Sequence, residues 1–109
     1  MESPKRRVPA AVEPVETGGI RYQVLRGARS RGFNQNGGYI AAIDADSGKE
    51  LWTLAVYQTS YDASEEADAQ DRYITEMILS KDHQQLLIKG EGRRSYAVNL
   101  ADRSIAALP

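Results

Sequence analysis

The amino-acid sequence predicts an all-β protein, an antiparallel meander of about seven strands. Three observations carry that expectation. From Ile20 onward, short runs rich in Ile, Val, Leu and Tyr alternate with clusters of Gly, Asn, Asp and Ser, and no window holds a sustained helical period. The connections between the runs are mostly tight turns, which only antiparallel neighbours can use. Finally, "AIDADSGKELW" (42–52) is echoed by "AVNLADRSIA" (97–106). With one deletion, Ala42 meets Ala97, Asp44 meets Asn99, Gly48 meets Arg103 and Leu51 meets Ile105, so both segments read strand, polar turn, strand.

Residues 1–19 carry Pro4, Pro9 and Pro14 and end in Gly18-Gly19. Proline at that spacing blocks helix and interrupts a sheet ladder, so the segment is expected to be a disordered or extended arm before a single all-β domain over 20–109. "IRYQVLR" is the first strand, with Ile20, Tyr22 and Val24 on one face. A polar loop follows, "GARSRGFNQNGG" (27–38), whose glycines and asparagines suit positive φ angles. "YIAAIDA" and "ELWTLAVYQT" flank "DSGK", a hairpin signal.

In that hairpin both parities are apolar: Leu51 and Ala55 point one way, Trp52, Leu54 and Val56 the other. Strands of this kind are covered on both faces, so the hairpin requires a second layer from the chain itself or from another subunit. The acidic segment "YDASEEADAQD" (61–71) leads into "YITEMILS", where Ile74 and Ile78 share a parity with Glu76. "KDHQ" then turns the chain into "QLLIKG", "GEGR" into "RSYAVNLA", and "DR" into "SIAAL".

Hydrophobic residues make up 41% and charged residues 27% of the chain, the composition of a folded globular protein. The absence of cysteine excludes a disulfide framework and thiolate zinc sites. No apolar run reaches the length of a secretory signal or a membrane span, so the expectation is a soluble, cytoplasmic protein with no membrane partner. Charge is unevenly placed. Lys5, Arg6, Arg7, Arg21, Arg26, Arg29 and Arg31 dominate the first part of the chain, and Asp62, Glu65, Glu66, Asp68, Asp71 and Glu76 the acidic segment.

Ala42, Asp44, Ser47, Gly48, Lys49, Leu51 and Trp52 together resemble the repeat of quinoprotein-like β-propellers, in which an alanine and an aspartate precede a Thr/Ser-Gly-Lys turn and a Leu-Trp pair. "LSKDHQQLLI" (79–88) is similar to the outer hairpin of a propeller blade. The resemblance covers 39–57 and 73–105 and implies a propeller-blade-like meander, or a small barrel or sandwich built from the same hairpins. The cofactor-binding positions of quinoproteins have no counterpart here, so no cofactor is expected. Two blade-like units close a ring only if several chains assemble. The longer pattern from "GFNQNGGYIAAID" to "YIT" also resembles a group of small uncharacterised bacterial proteins, which implies a stand-alone domain and carries no activity over.

Asp44-x-Asp46-x-Gly48 has the opening of a calcium loop, but the twelfth position, where a bidentate glutamate is needed, is Ala55; Asp44 is read as a turn residue. The 27–38 loop is long for a hairpin, lacks the Lys-Ser/Thr ending of a phosphate loop, and offers Arg29, Arg31, Asn34, Gln35 and Asn36 as ligand or partner contacts. Glu66 and Asp71 of the acidic segment complete the candidate set. His83 is the only histidine and shares one turn with Ser80 and Asp82, which are too crowded for a catalytic triad. No catalytic residue and no metal-ligand set is assigned.

Trp52, Tyr39, Tyr57, Tyr73 and Tyr96 are numerous enough for a base-stacking platform. A net charge of −1 and the absence of an RNA-binding signature argue against nucleic acid, and Trp52 is read as core. The reading that follows is a small binding or interaction domain that self-associates, through sheet edges or the two-sided apolar hairpin, or takes a protein partner. The alternative is a small enzyme or metal-dependent catalyst in which the 27–38 and 61–72 loops converge.

Overall fold

The computed structural model describes residues 11–58 and 72–109; the basic "KRR" and the acidic segment, with Glu66 and Asp71, lie outside the described residues. The described chain is all β apart from one 3-10 turn, Ala28–Arg31. Strands β1 (Val15–Thr17), β2 (Ile20–Val24), β3 (Tyr39–Asp44) and β4 (Glu50–Ala55) form one four-stranded sheet in sequence order. Strands β5 (Ile74–Leu79), β6 (Gln85–Gly90), β7 (Arg94–Asn99) and β8 (Ile105–Leu108) form a second in the same way. Every pairing is antiparallel, and neither sheet closes into a barrel.

The sequence reading misses β1, which falls inside the expected arm. Gly18 and Gly19 have φ of 59° and 77°, the pattern of a two-residue type I′ hairpin, and bring Val15 opposite Tyr22 and Thr17 opposite Ile20. Pro14 stands just before the strand, where its missing N–H removes no ladder bond.

The internal repeat is real in three dimensions. Asp44 Oδ1 accepts the amides of Asp46 (2.9 Å) and Ser47 (3.0 Å), and the Gly48 amide donates to the Asp44 carbonyl (2.8 Å). Asn99 does the same with Ala101 (2.8 Å) and Asp102 (3.4 Å), and the Arg103 amide donates to its carbonyl (2.7 Å). Gly48 and Arg103 both occupy the left-handed region, at φ 75° and 62°.

The deleted residue of the alignment is a β-bulge. Ile43 pairs with Glu50 and Ala42 with Trp52, which leaves Leu51 as the extra residue, whereas Val98 and Ala97 pair with Ile105 and Ala106 without a gap. Glu50 rather than Leu51 therefore corresponds to Ile105. A second bulge corrects the reading of "YITEMILS". Ile74 pairs with Gly90 and Glu76 with Lys89, so the extra Thr75 turns Ile74 into the core while Glu76 and Ile78 face outward.

The sheets share one core. Tyr22, Ile40, Ala42, Val56 and Tyr57 meet Ile74, Met77, Leu86, Ile88 and Val98, and each large side chain buried there contributes about 1.5–3 kcal/mol. β1 lies against β5. Ala42 faces this core, yet its counterpart Ala97 alternates with the core residue Val98 and so lies on the outer face of the second sheet. The sheets therefore stack front to back, as successive units of a repeat.

The three turn aspartates make the fold acid-sensitive. Backbone amides of Ser47 and Asp46 lower the pKa of Asp44; the Ser80 hydroxyl and the Gln84 amide lower that of Asp82; the Ser104 amide lowers that of Asp102. Since their folded-state values lie below the ordinary 3.8, the stability they bring is present above that pH and is lost as pH falls through the folded values. Urea midpoints measured from pH 7 downward are expected to hold until that region and then fall. Asp44→Asn, which copies Asn99, is expected to keep the neutral midpoint and flatten part of the acid slope.

Candidate functional site

The 27–38 loop folds back onto the outer face of the first sheet. Gly27 and Gly32, at φ 64° and 94°, bracket the 3-10 turn and let it lie flat, with Ala28 fully buried beneath it. Leu25 and Ala28 pack with Tyr39, Ala41 and Ile43, and Phe33 and Ala55 close the rim of this second cluster. Phe33 stacks on Tyr39 at 4.5 Å. The second layer that the apolar hairpin requires is thus supplied by the chain itself.

The five loop residues singled out by sequence come together here, and their described bonds point at the protein. The Arg31 Nη2 donates to both carboxylate oxygens of Glu50, at 2.8 and 3.0 Å, and its guanidinium lies 5.7 Å from the Phe33 ring. Asn34 Oδ1 accepts the Tyr39 hydroxyl at 3.2 Å, and Asn36 Oδ1 accepts the Arg29 amide at 3.0 Å. Gln35 is 1% exposed; its Nε2 donates to the carbonyls of Gly37 (2.7 Å) and Tyr57 (2.8 Å). A loop laid over a sheet must satisfy its polar backbone, and Gln35 and Asn36 do so, while Arg31 and Asn34 tie the loop to side chains of the sheet.

The end of this loop meets the start of the second sheet. Gly37 packs directly on the Arg72 carbonyl, which also accepts the Tyr57 hydroxyl at 2.7 Å. Tyr57 stacks on Tyr96 with ring centroids 5.4 Å apart. Trp52 lies elsewhere, 6.0 Å from Tyr22 and 5.4 Å beneath the Arg103 guanidinium. Trp52 and Tyr57 therefore occupy different neighbourhoods of the core. Among the described residues no three His, Asp or Glu side chains gather as a metal site, and no helix is long and apolar enough to cross a membrane.

Among the described residues the outer face of the second sheet has no such cover. The β6–β7 connection is only residues 91–93, where the first sheet has residues 25–38. Two rows of side chains share this face: Ile78, Leu87, Ala97 and Ala106, then Glu76, Lys89, Ser95 and Leu108. Ile78 is 49% and Leu108 40% exposed. A groove of about 190 Å³ runs between Glu76, Ile78, Leu87, Lys89 and Leu108. It adjoins a basic cleft of about 310 Å³ formed by Thr75, Lys89, Arg93 and Arg94. Lys89 Nζ lies 3.6 Å from Glu76.

Sequence reasoning overlooked this face because the Thr75 bulge hides which side Ile78 takes. The uncharged run "SIAAL" was the available signal. No known family model and no curated protein matches the chain.

The cover predicts a graded response to mutation. Gln35→Ala removes a buried donor from two carbonyls and is expected to cost about 1–3 kcal/mol. Arg31→Ala breaks a half-exposed ion pair and is expected to cost only about 0.2–1 kcal/mol. Urea denaturation of the two variants checks the order.

Proposed function

We propose that the protein is an interaction module that pairs with a second copy of itself through the outer face of its second sheet. The observation that carries this reading is the asymmetry between a roofed face and an open one. The front-to-back stacking gives the molecule two ends of different kind. The 25–38 loop seals one of them, and at the other no described residue covers the exposed Ile78 and Leu108 or the half-buried Leu87 between them. A head-to-tail ring of blades would need the sealed end as a docking surface. Two open ends can meet without disturbing either roof.

Charge supports a two-fold arrangement. Glu76 and Lys89 sit side by side on the open face, so a two-fold axis sets Glu76 of each copy against Lys89 of the other. The neighbouring edge strand β8 has no charge, bulge or internal proline to discourage approach. Strand spacing and rise give a four-stranded face a footprint of roughly 400 Å², below the standard interface size, so the expected affinity is micromolar or weaker. The two consecutive meanders with a shared core also support the propeller-blade-like reading, with the loop standing where a further blade would otherwise pack.

Size-exclusion chromatography with light scattering, run across a concentration series, is expected to show a monomer–dimer equilibrium. Ile78→Glu and Leu108→Glu, both at exposed positions, are expected to abolish it while leaving the circular dichroism spectrum unchanged. Glu76→Lys is expected to weaken the dimer and the Glu76→Lys/Lys89→Glu pair to restore it. A monomer at about 1 mM, the weak end of specific association, would sink the reading.

A further inference from the structure

At the end of the molecule where the β1–β2 and β5–β6 turns and the end of β7 gather, a cleft of about 390 Å³ opens between the sheets. Tyr22 is one of its walls and is only 4% exposed. Its ring lies beside Trp52, but its hydroxyl has no hydrogen-bond partner among the described residues. A hydroxyl on an otherwise buried ring that borders a cleft without a protein partner is open to a ligand, since native proteins supply nearly every buried polar side chain with a partner.

The rest of the lining narrows what that partner can be. Thr17, His83 and Gln84 present side chains with no hydrogen bond to the described residues, and Asn99, whose Oδ1 is held by the amides of its own turn, adds its amide nitrogen. Ile20 and Leu100 supply apolar surface. Among the described residues no Lys, Arg, Asp or Glu lines the cleft. A charged ligand would find no carboxylate, ammonium or guanidinium partner there among the described residues, and a hydrocarbon would leave the polar groups unpaired. The volume is at the small end of ligand pockets.

We propose that this cleft binds an uncharged, hydroxyl-rich molecule of monosaccharide size, with the Tyr22 hydroxyl as its innermost polar contact. The cleft is separate from the open face of the second sheet, and the proposal does not rest on self-association. A ligand hydroxyl that both donates and accepts is matched by Tyr22, which can do either, and by the amides of Gln84 and Asn99 at the rim.

The test is an amide-resolved NMR titration of the full chain with D-glucose, N-acetyl-D-glucosamine and myo-inositol, beside inorganic phosphate. At least one neutral probe is expected to give saturable shifts at the Gly18, Gln84 and Leu100 amides. Tyr22→Phe is expected to weaken it about threefold to tenfold, the loss of one hydrogen bond. In the unliganded protein Tyr22→Phe is expected to leave the urea midpoint unchanged or raised, because it removes an unpaired group. Three results would each overturn the proposal: no saturable shift with any neutral probe, tighter binding of phosphate at the same amides, or a lowered midpoint for unliganded Tyr22→Phe.

Discussion

Tyr57 leaves the end of β4 and enters the space between the sheets, and the way it is held there ties three parts of the molecule together. Its carbonyl receives Gln35 from the roof loop, its hydroxyl reaches the Arg72 carbonyl ahead of β5, and its ring stacks on Tyr96 of β7. The ring fits because two neighbours have no side chain. A Cβ on Gly38 would stand 3.1 Å from it and one on Gly90 3.2 Å, both tighter than ordinary contact. An aromatic residue in this position contributes a large buried area and two directional bonds at once. Roof, first sheet and second sheet are thereby coupled, so loosening the loop is felt in the shared core.

The two sheets obey one plan with different connections. Each turn between third and fourth strands is closed by an Asx side chain over two amides and a left-handed residue, glycine in one and arginine in the other. The difference that matters lies between the second and third strands. Residues 25–38 wrap one sheet and bury Ala28, Tyr39 and Ile43, while residues 91–93 merely reverse the chain in the other. The same front-to-back stack thus ends in a sealed surface on one side and in Ile78 and Leu108 on the other.

Much of this was legible where the physics is local. Asp44 with Ser47-Gly48, and Asn99 in its weaker copy, announce turns because the side chain bonds amides two and three residues away. The unbroken apolar run of "YIAAI" correctly implied coverage on both faces, since β3 is buried from Tyr39 to Ile43. The bulges at Leu51 and Thr75 were not legible, because a bulge is defined by the partner strand and its register. The same holds for β1, whose pairing depends on a glycine hairpin more than on its three residues. At the candidate site, the loop's composition marked it as unusual, but not that Gln35 would turn inward. The unsatisfied Tyr22 hydroxyl is wholly non-local: it needs both sheets in place before its neighbours exist.

Trp52 is the only tryptophan in the chain, and its ring lies at the boundary between the two halves, against Tyr22 of its own sheet and under Arg103 of the other. A cation over an indole face stabilises the contact modestly and also perturbs the excited state of the ring. The molecule consequently carries its own optical gauge. Light emitted by a single native residue reports whether the last turn of the second sheet is still closed over the first, with no label attached and no other indole to confuse the signal.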